Sequence, residues 1–122
     1  MLGEEINARM DLLLESKQIK QQTYEMTKGV MEEMVKQERL DPTHESGGQF
    51  ANHLAIAAER MNKKEPIEEV SEQTQEIIDE NPELFEEANE ILKKCLITEG
   101  AFYTKAEAGF ITLYLAMFEA SD

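Results

Sequence analysis

Apolar residues in this chain recur, almost from end to end, at the three- and four-residue spacing of one helix face. Ile6, Met10, Leu13 and Leu14 form the first such stripe. Tyr24, Met31, Met34 and Val35 form a second, in a helix with room to start near Ile19. Gly29 falls inside it and costs about 1 kcal/mol against Ala, so it marks a break or a close contact there. Arg39-Leu40-Asp41-Pro42-Thr43 ends that helix. Either Asp41 ahead of Pro42, or Ser46 with Gln49, is placed to cap the next one, with Gly47 and Gly48 softening its start. The third helix carries Phe50, Leu54, Ala57, Ala58 and Met61 on one face. It should stop between Asn62 and Glu65, because Pro66 disfavours helical backbone in the residue before it.

Ile67, Val70, Thr74, Ile77 and Ile78 predict a fourth, moderately amphipathic helical piece. Asn81-Pro82 opens another, with Asn81 as cap and Pro82 in the first turn, where a missing N–H does no harm. Its inner face holds Leu84 or Phe85, then Ala88, Ile91, Leu92 and Cys95. Beyond a break at Gly100, Thr104-Lys105-Ala106-Glu107 matches a capping box, in which hydroxyl and carboxylate each satisfy an orphan amide. The last helix should run to about Glu119, with Glu107, Phe110, Ile111, Tyr114 and Phe118 along one side. No strand-like alternation competes with these signals. The pattern predicts an all-α bundle of about five or six helices.

A chain of 122 residues suits one compact domain, and 41% hydrophobic residues are enough for a real core. Residues 1–18 read as an extra N-terminal helix and residues 19–122 as the main helical domain. Net charge is -14, from 26 acids against 12 bases, and the densest basic sites are the pairs Lys63-Lys64 and Lys93-Lys94. Phosphate backbones demand clustered cations, so direct nucleic-acid binding by this chain is excluded as an expectation. Residues 65–92 hold eleven Asp or Glu and no Lys or Arg. They form either a solvated face that maintains solubility or an electrostatic docking surface for a basic partner. One cysteine, Cys95, allows no internal disulfide and fits a reducing cytoplasm, with its helical spacing predicting a packed thiol. No basic segment precedes an apolar signal core, and the uncharged run from Ala108 to Phe118 is too short to span a bilayer.

Candidate chemistry is sparse. At 100° per residue, Phe50, Leu54, Ala57 and Met61 share a stripe, and His53 and Arg60 fall together on its flank. A flanking imidazole can keep one nitrogen held and the other open. A neutral ring nitrogen can then attack a phosphoryl group, and Arg60 is placed to help hold the resulting dianion. The plainer alternative for His53 is an interface histidine with both nitrogens hydrogen-bonded. His44 reads as an exposed loop residue. Asp41-x-x-His44 lacks the second pair that a di-metal bundle requires, there is no zinc spacing, and no glycine-rich phosphate loop follows a strand. Neither a metal, a cofactor nor an enzymatic activity is expected.

Two stretches carry a family resemblance. The first is Asn52-His53-Leu54 with Ala57 and Arg60, and the second is Glu107, Gly109-Phe110-Ile111, Leu113-Tyr114-Leu115. Between them lies Asn81-Pro82-Glu83-Leu84-Phe85, followed by Ala88. Together they resemble the histidine motifs and middle segment of a PTS regulation domain (PRD), with Tyr114 standing 61 positions after His53 where the family has its second histidine. The resemblance implies a helical homodimer whose histidines take phosphate from HPr or an enzyme II component, shifting dimer packing to control transcription. A phenol with an ordinary pKa of about 10 is a poor substitute for imidazole in that transfer. His53 is therefore the phosphoacceptor candidate, Arg60 its supporting cation, and Glu107 with Tyr114 the degenerate second site. With no segment left for a nucleic-acid-binding domain, a stand-alone module acting on transcription through another protein is expected. A phosphorylation-independent dimeric scaffold is the alternative.

Overall fold

The computed structural model describes residues 1–120, so the last two residues of the expected 19–122 span lie outside the described residues. Six helices follow one another: α1 (Gly3–Glu15), α2 (Gln21–Lys36), α3 (Gly47–Asn62), α4 (Glu72–Glu80), α5 (Pro82–Lys94) and α6 (Lys105–Ala120). There is no strand among the described residues. The all-α bundle read from the periodicity is the observed fold.

The helices form two groups of three. α3 packs on α1 and α2; α6 packs on α4 and α5; and the two groups meet along a seam between α3 and α6. Phe50, Leu54 and Met61 of α3 and Ile111 and Leu115 of α6 line the interior with almost no exposure. Ile6, Met10 and Leu13 of α1 belong to the same core, so the N-terminal helix is part of the folded unit. Cys95 is fully buried, and that burial pushes its thiol up to about 12, leaving a packed and unreactive group.

Chain ends of the helices follow local chemistry, with several departures from the sequence pattern. α1, α2 and α3 each finish in the same double hydrogen bond, as in Gln18 N–H to Leu13 C=O with Lys17 N–H to Leu14 C=O. The residue that turns left-handed is Lys17, Glu38 or Lys64, with φ of 64°, 60° and 65°. Glycine normally fills that position, so no glycine signal announced these ends. Lys17→Gly should stabilise the protein by about 1 kcal/mol by relieving this backbone, seen as a raised urea midpoint.

Neither expected cap starts α3. Asp41 instead accepts the N–H and hydroxyl of Thr43, at 2.8 and 2.7 Å, and shapes the preceding turn. Ser46 precedes α3 but makes no side-chain cap. The fourth helix is shorter than its stripe: Ile67 and Val70 lie in an extended strap, and Ser71 caps α4 by accepting the Thr74 N–H at 3.1 Å. Asn81 makes no side-chain cap for α5, because its amide donates back to the Ile77 carbonyl at 2.9 Å. Gly29 neither breaks α2 nor meets a neighbour: a Cβ there would find nothing within 4 Å. The inner row of α2 includes the buried Thr23 and Thr27 beside Val30, Met31 and Met34. Threonines in that row hid its period from hydropathy. Thr23 is satisfied by donating its hydroxyl to the buried Glu59 at 2.6 Å.

Candidate functional site

The α3–α6 seam brings the expected site residues together. His53 leaves α3 half-buried, its ring 4.9 Å from that of Phe110 and 5.7 Å from that of Tyr114, both on α6. Tyr114 therefore lies directly beside His53 in the same chain, its edge also against Phe50 at 5.8 Å. Rings hold the imidazole in place, and no hydrogen bond to either nitrogen is present among the described residues. Burial lowers the pKa of His53, the Arg60 charge lowers it further, and Glu107 opposes them. The ring is thus neutral at neutral pH, the form with a nucleophilic lone pair.

Arg60 is less free than its flank position suggested. Its Nε and Nη2 each donate to Glu107 at 2.8 Å, a two-pronged pair reaching from α3 to the first turn of α6. Glu107 has a fully buried side chain, whereas Arg60 retains 29% exposure. The Arg60 Nη1 donors have no partner among the described residues. So the guanidinium is anchored on one edge and open on the other.

The same carboxylate corrects the expected capping box. Thr104 does accept the Glu107 N–H, at 3.3 Å. The Glu107 carboxylate, however, turns inward to Arg60 and accepts the Ile67 N–H at 3.0 Å. Thr104 donates its hydroxyl to the Ile67 carbonyl. With both its backbone groups engaged in this way, the Ile67 region stays extended rather than helical. Sequence reasoning missed this clasp. Its available signal was an acid, Glu107, amid the small and apolar residues of a helix that needed a cation.

His44 also departs from expectation. It is partly buried, its Nδ1 accepts the Ser46 N–H at 3.0 Å, and its ring packs edge-on against Phe118 at 5.0 Å. No cluster of three or more potential metal-ligating side chains occurs among the described residues.

One surface feature accompanies the site. Phe110, Leu113, Tyr114 and Met117 recur at i, i+3, i+4 and i+7 as a second apolar row on α6, in which Phe110 and Tyr114 lie against His53 and Leu113 and Met117 are exposed. Leu113 is 39% and Met117 36% exposed. Leu113 and Met117 thus add exposed apolar surface to a helix whose other side lies in the core.

Fold and site together define an all-α module, built as two helical trios with His53 on the seam between them. The chain belongs to the PRD domain family, whose sequence pattern matches residues 30–117. That span contains His53, Arg60, Glu107 and Tyr114; α1 and the first half of α2 precede it. Searches of curated proteins and of solved structures returned no match. The family is that of the PTS regulatory domains. No described helix is long and apolar enough to cross a membrane.

Proposed function

We propose that this protein is a cytoplasmic, non-enzymatic regulatory module of the sugar phosphotransferase system, phosphorylated on His53 and acting as a homodimer. The observation that carries the reading is the His53 ring: clamped by Phe110 and Tyr114, neutral, and without a hydrogen bond on either nitrogen among the described residues. A phosphoryl donor of the HPr or enzyme II type would lose its bond to phosphorus as the P–N bond to His53 forms, so no further reactant is needed. Arg60, oriented by Glu107, offers its open Nη1 edge to the dianion. The exposed Leu113, beside the partly exposed rings of Phe110 and Tyr114, supports dimerisation as apolar surface that a second copy would cover. Negative charge added at the seam then either finds Arg60 or repacks that surface. Tyr114 leaves this face with one phosphoacceptor, and output to transcription runs through a partner protein.

Incubation with phosphoenolpyruvate, enzyme I and HPr, with and without an enzyme II component, tests this. We expect one phosphate by intact mass, labile in acid and absent from His53→Ala. No mass gain with any donor, or an equal gain in His53→Ala, sinks the proposal. The apolar stripe and Tyr114 favour a second reading, a dimeric scaffold that needs no phosphate. In that case His53→Ala leaves dimerisation and partner binding unchanged.

A further inference from the structure

A second surface, away from His53, has the form of a docking site. α2 and the end of α5 with the residues after it border an open groove of about 740 Å³. Its lining draws on both helical trios: Met26, Gly29 and Val30 from α2, with Lys94 and Ile97 from the end of α5 and beyond. Ile97 is 37% exposed there, and Met26 is half-buried. Methionine supplies a floor that adapts to different apolar guests.

The α2 side of the groove is acidic and regular, and among the described residues Lys94 is the one cation in the lining. Glu25, Gly29 and Glu33 are spaced i, i+4, i+8, so they form one row along α2 with the glycine in the middle. The two carboxylates stand roughly 12 Å apart along the axis, with a notch between them where a side chain is missing. Each is bonded by a neutral amide: Gln21 donates to Glu25 at 2.8 Å and Gln37 to Glu33 at 3.1 Å. Neither carboxylate has an ion pair among the described residues. A small polar well shares Gln22 and Ile97 with the groove and is lined by the buried Glu59 together with Lys20 and Lys63. Burial raises the Glu59 carboxyl, but hydrogen bonds from Thr23 and the Lys20 amide, with Lys63 beside it, outweigh that and hold it below the ordinary range.

We propose that this groove docks a basic amphipathic helix of another protein, with an apolar side chain entering the Gly29 notch and Lys or Arg two turns apart on the flanking glutamates. Charge selects the occupant. A second copy of this chain, itself at -14, would bring acid against acid. The mid-helix glycine fits the same reading: it weakens α2 without any packing reason, yet any larger side chain would fill the notch. This site stands independently of phosphorylation at His53.

The test uses the full chain and a fluorescein-labelled helical 15-mer carrying Lys at two positions eight apart and Leu midway. Its control is the same peptide with Glu in place of both Lys. Anisotropy should show saturable binding of the Lys peptide and at least about tenfold weaker binding of the Glu peptide, with the difference shrinking at high salt. Gly29→Leu faces open space and is a good helix former, so the fold is retained while the notch closes. It should weaken the Lys peptide about tenfold, as should Glu25→Gln with Glu33→Gln. Circular dichroism confirms that each variant is folded. Equal affinity for both peptides, no saturable binding, or full binding by folded Gly29→Leu overturns the proposal. A shift in oligomeric state on Gly29→Leu also overturns it, by making the groove a contact between copies. Loss of phosphorylation in His53→Ala leaves this assay unmoved, so the two proposals fail separately.

Discussion

Arg60→Met should destabilise the protein by about 3–5 kcal/mol, because it leaves the Glu107 carboxylate buried without its cation. The whole burden sits on Glu107, whose side chain has no exposure, while Arg60 is partly open to water. Against a total stability of about 5–15 kcal/mol for a domain, that loss puts the variant near the edge of folding at ambient temperature. Urea unfolding should show a much lower midpoint with an unchanged slope. Adding Glu107→Gln should recover most of the loss. The amide carries no charge, and its oxygen can still accept the Ile67 N–H that Glu107 now accepts at 3.0 Å. If Arg60→Met moved stability by less than about 1 kcal/mol, the pair would be no more than an exposed surface bridge. If the double variant were no better than the single one, loss of Arg60 packing and not charge would be the cause.

The second large effect comes from Gly109. A Cβ at this position would lie 2.3 Å from Thr74 Cγ2 and 3.2 Å from Ile78 Cδ1. α4 crosses α6 at this glycine, and an added side chain requires Thr74 or the helices themselves to shift. Gly109→Ala should lose about 1–3 kcal/mol through overpacking, although alanine is the better helix former by roughly 1 kcal/mol. Thr74→Ser removes the clashing methyl and keeps the hydroxyl near Ser71, which donates to it at 3.0 Å. The Gly109→Ala, Thr74→Ser double variant should therefore be more stable than Gly109→Ala alone. A neutral or stabilising Gly109→Ala would show that α4 yields cheaply at this crossing. Because Gly109 follows Glu107 by two residues, displacement of α4 would also be expected to disturb the clasp on Ile67 and, through Arg60, the surroundings of His53.

Much of the architecture was legible because it is written in local periodicity. The stripes of Phe50, Leu54 and Met61, and of Ala88, Ile91 and Leu92, became buried faces as read. The reading failed where a polar group chose between partners. Thr23 and Thr27 sit in the inner row of α2 yet count as polar in any hydropathy pattern. Ile67 and Val70 continue the period of α4 but are held extended, because Ile67 is bonded to Glu107 and Thr104 across the chain. The ends of α1, α2 and α3 carry no glycine signal, since Lys17, Glu38 and Lys64 accept the left-handed backbone, although Pro66 still placed the end of α3. In the site itself, the flank position of His53 and Arg60 was correct. What Arg60 holds was not visible, because its partner lies 47 residues away.

By itself, the sequence determined an all-α bundle of about five or six helices, most of the apolar faces, the acidic character and the presence of a single motif histidine, His53, with a tyrosine at the second motif position. Each of these depends on residues a few positions apart, where helix geometry alone dictates which side chains share a face. Tertiary structure decided everything that required a choice among distant partners. It put Tyr114 against His53, turned the Glu107 carboxylate from its own helix end toward Arg60, and left the Gly29 notch open between Glu25 and Glu33. The physical reason is that a buried charge must be matched and a packed ring must find its neighbour. Which cation and which ring are within reach is set only when α3 and α6 have met.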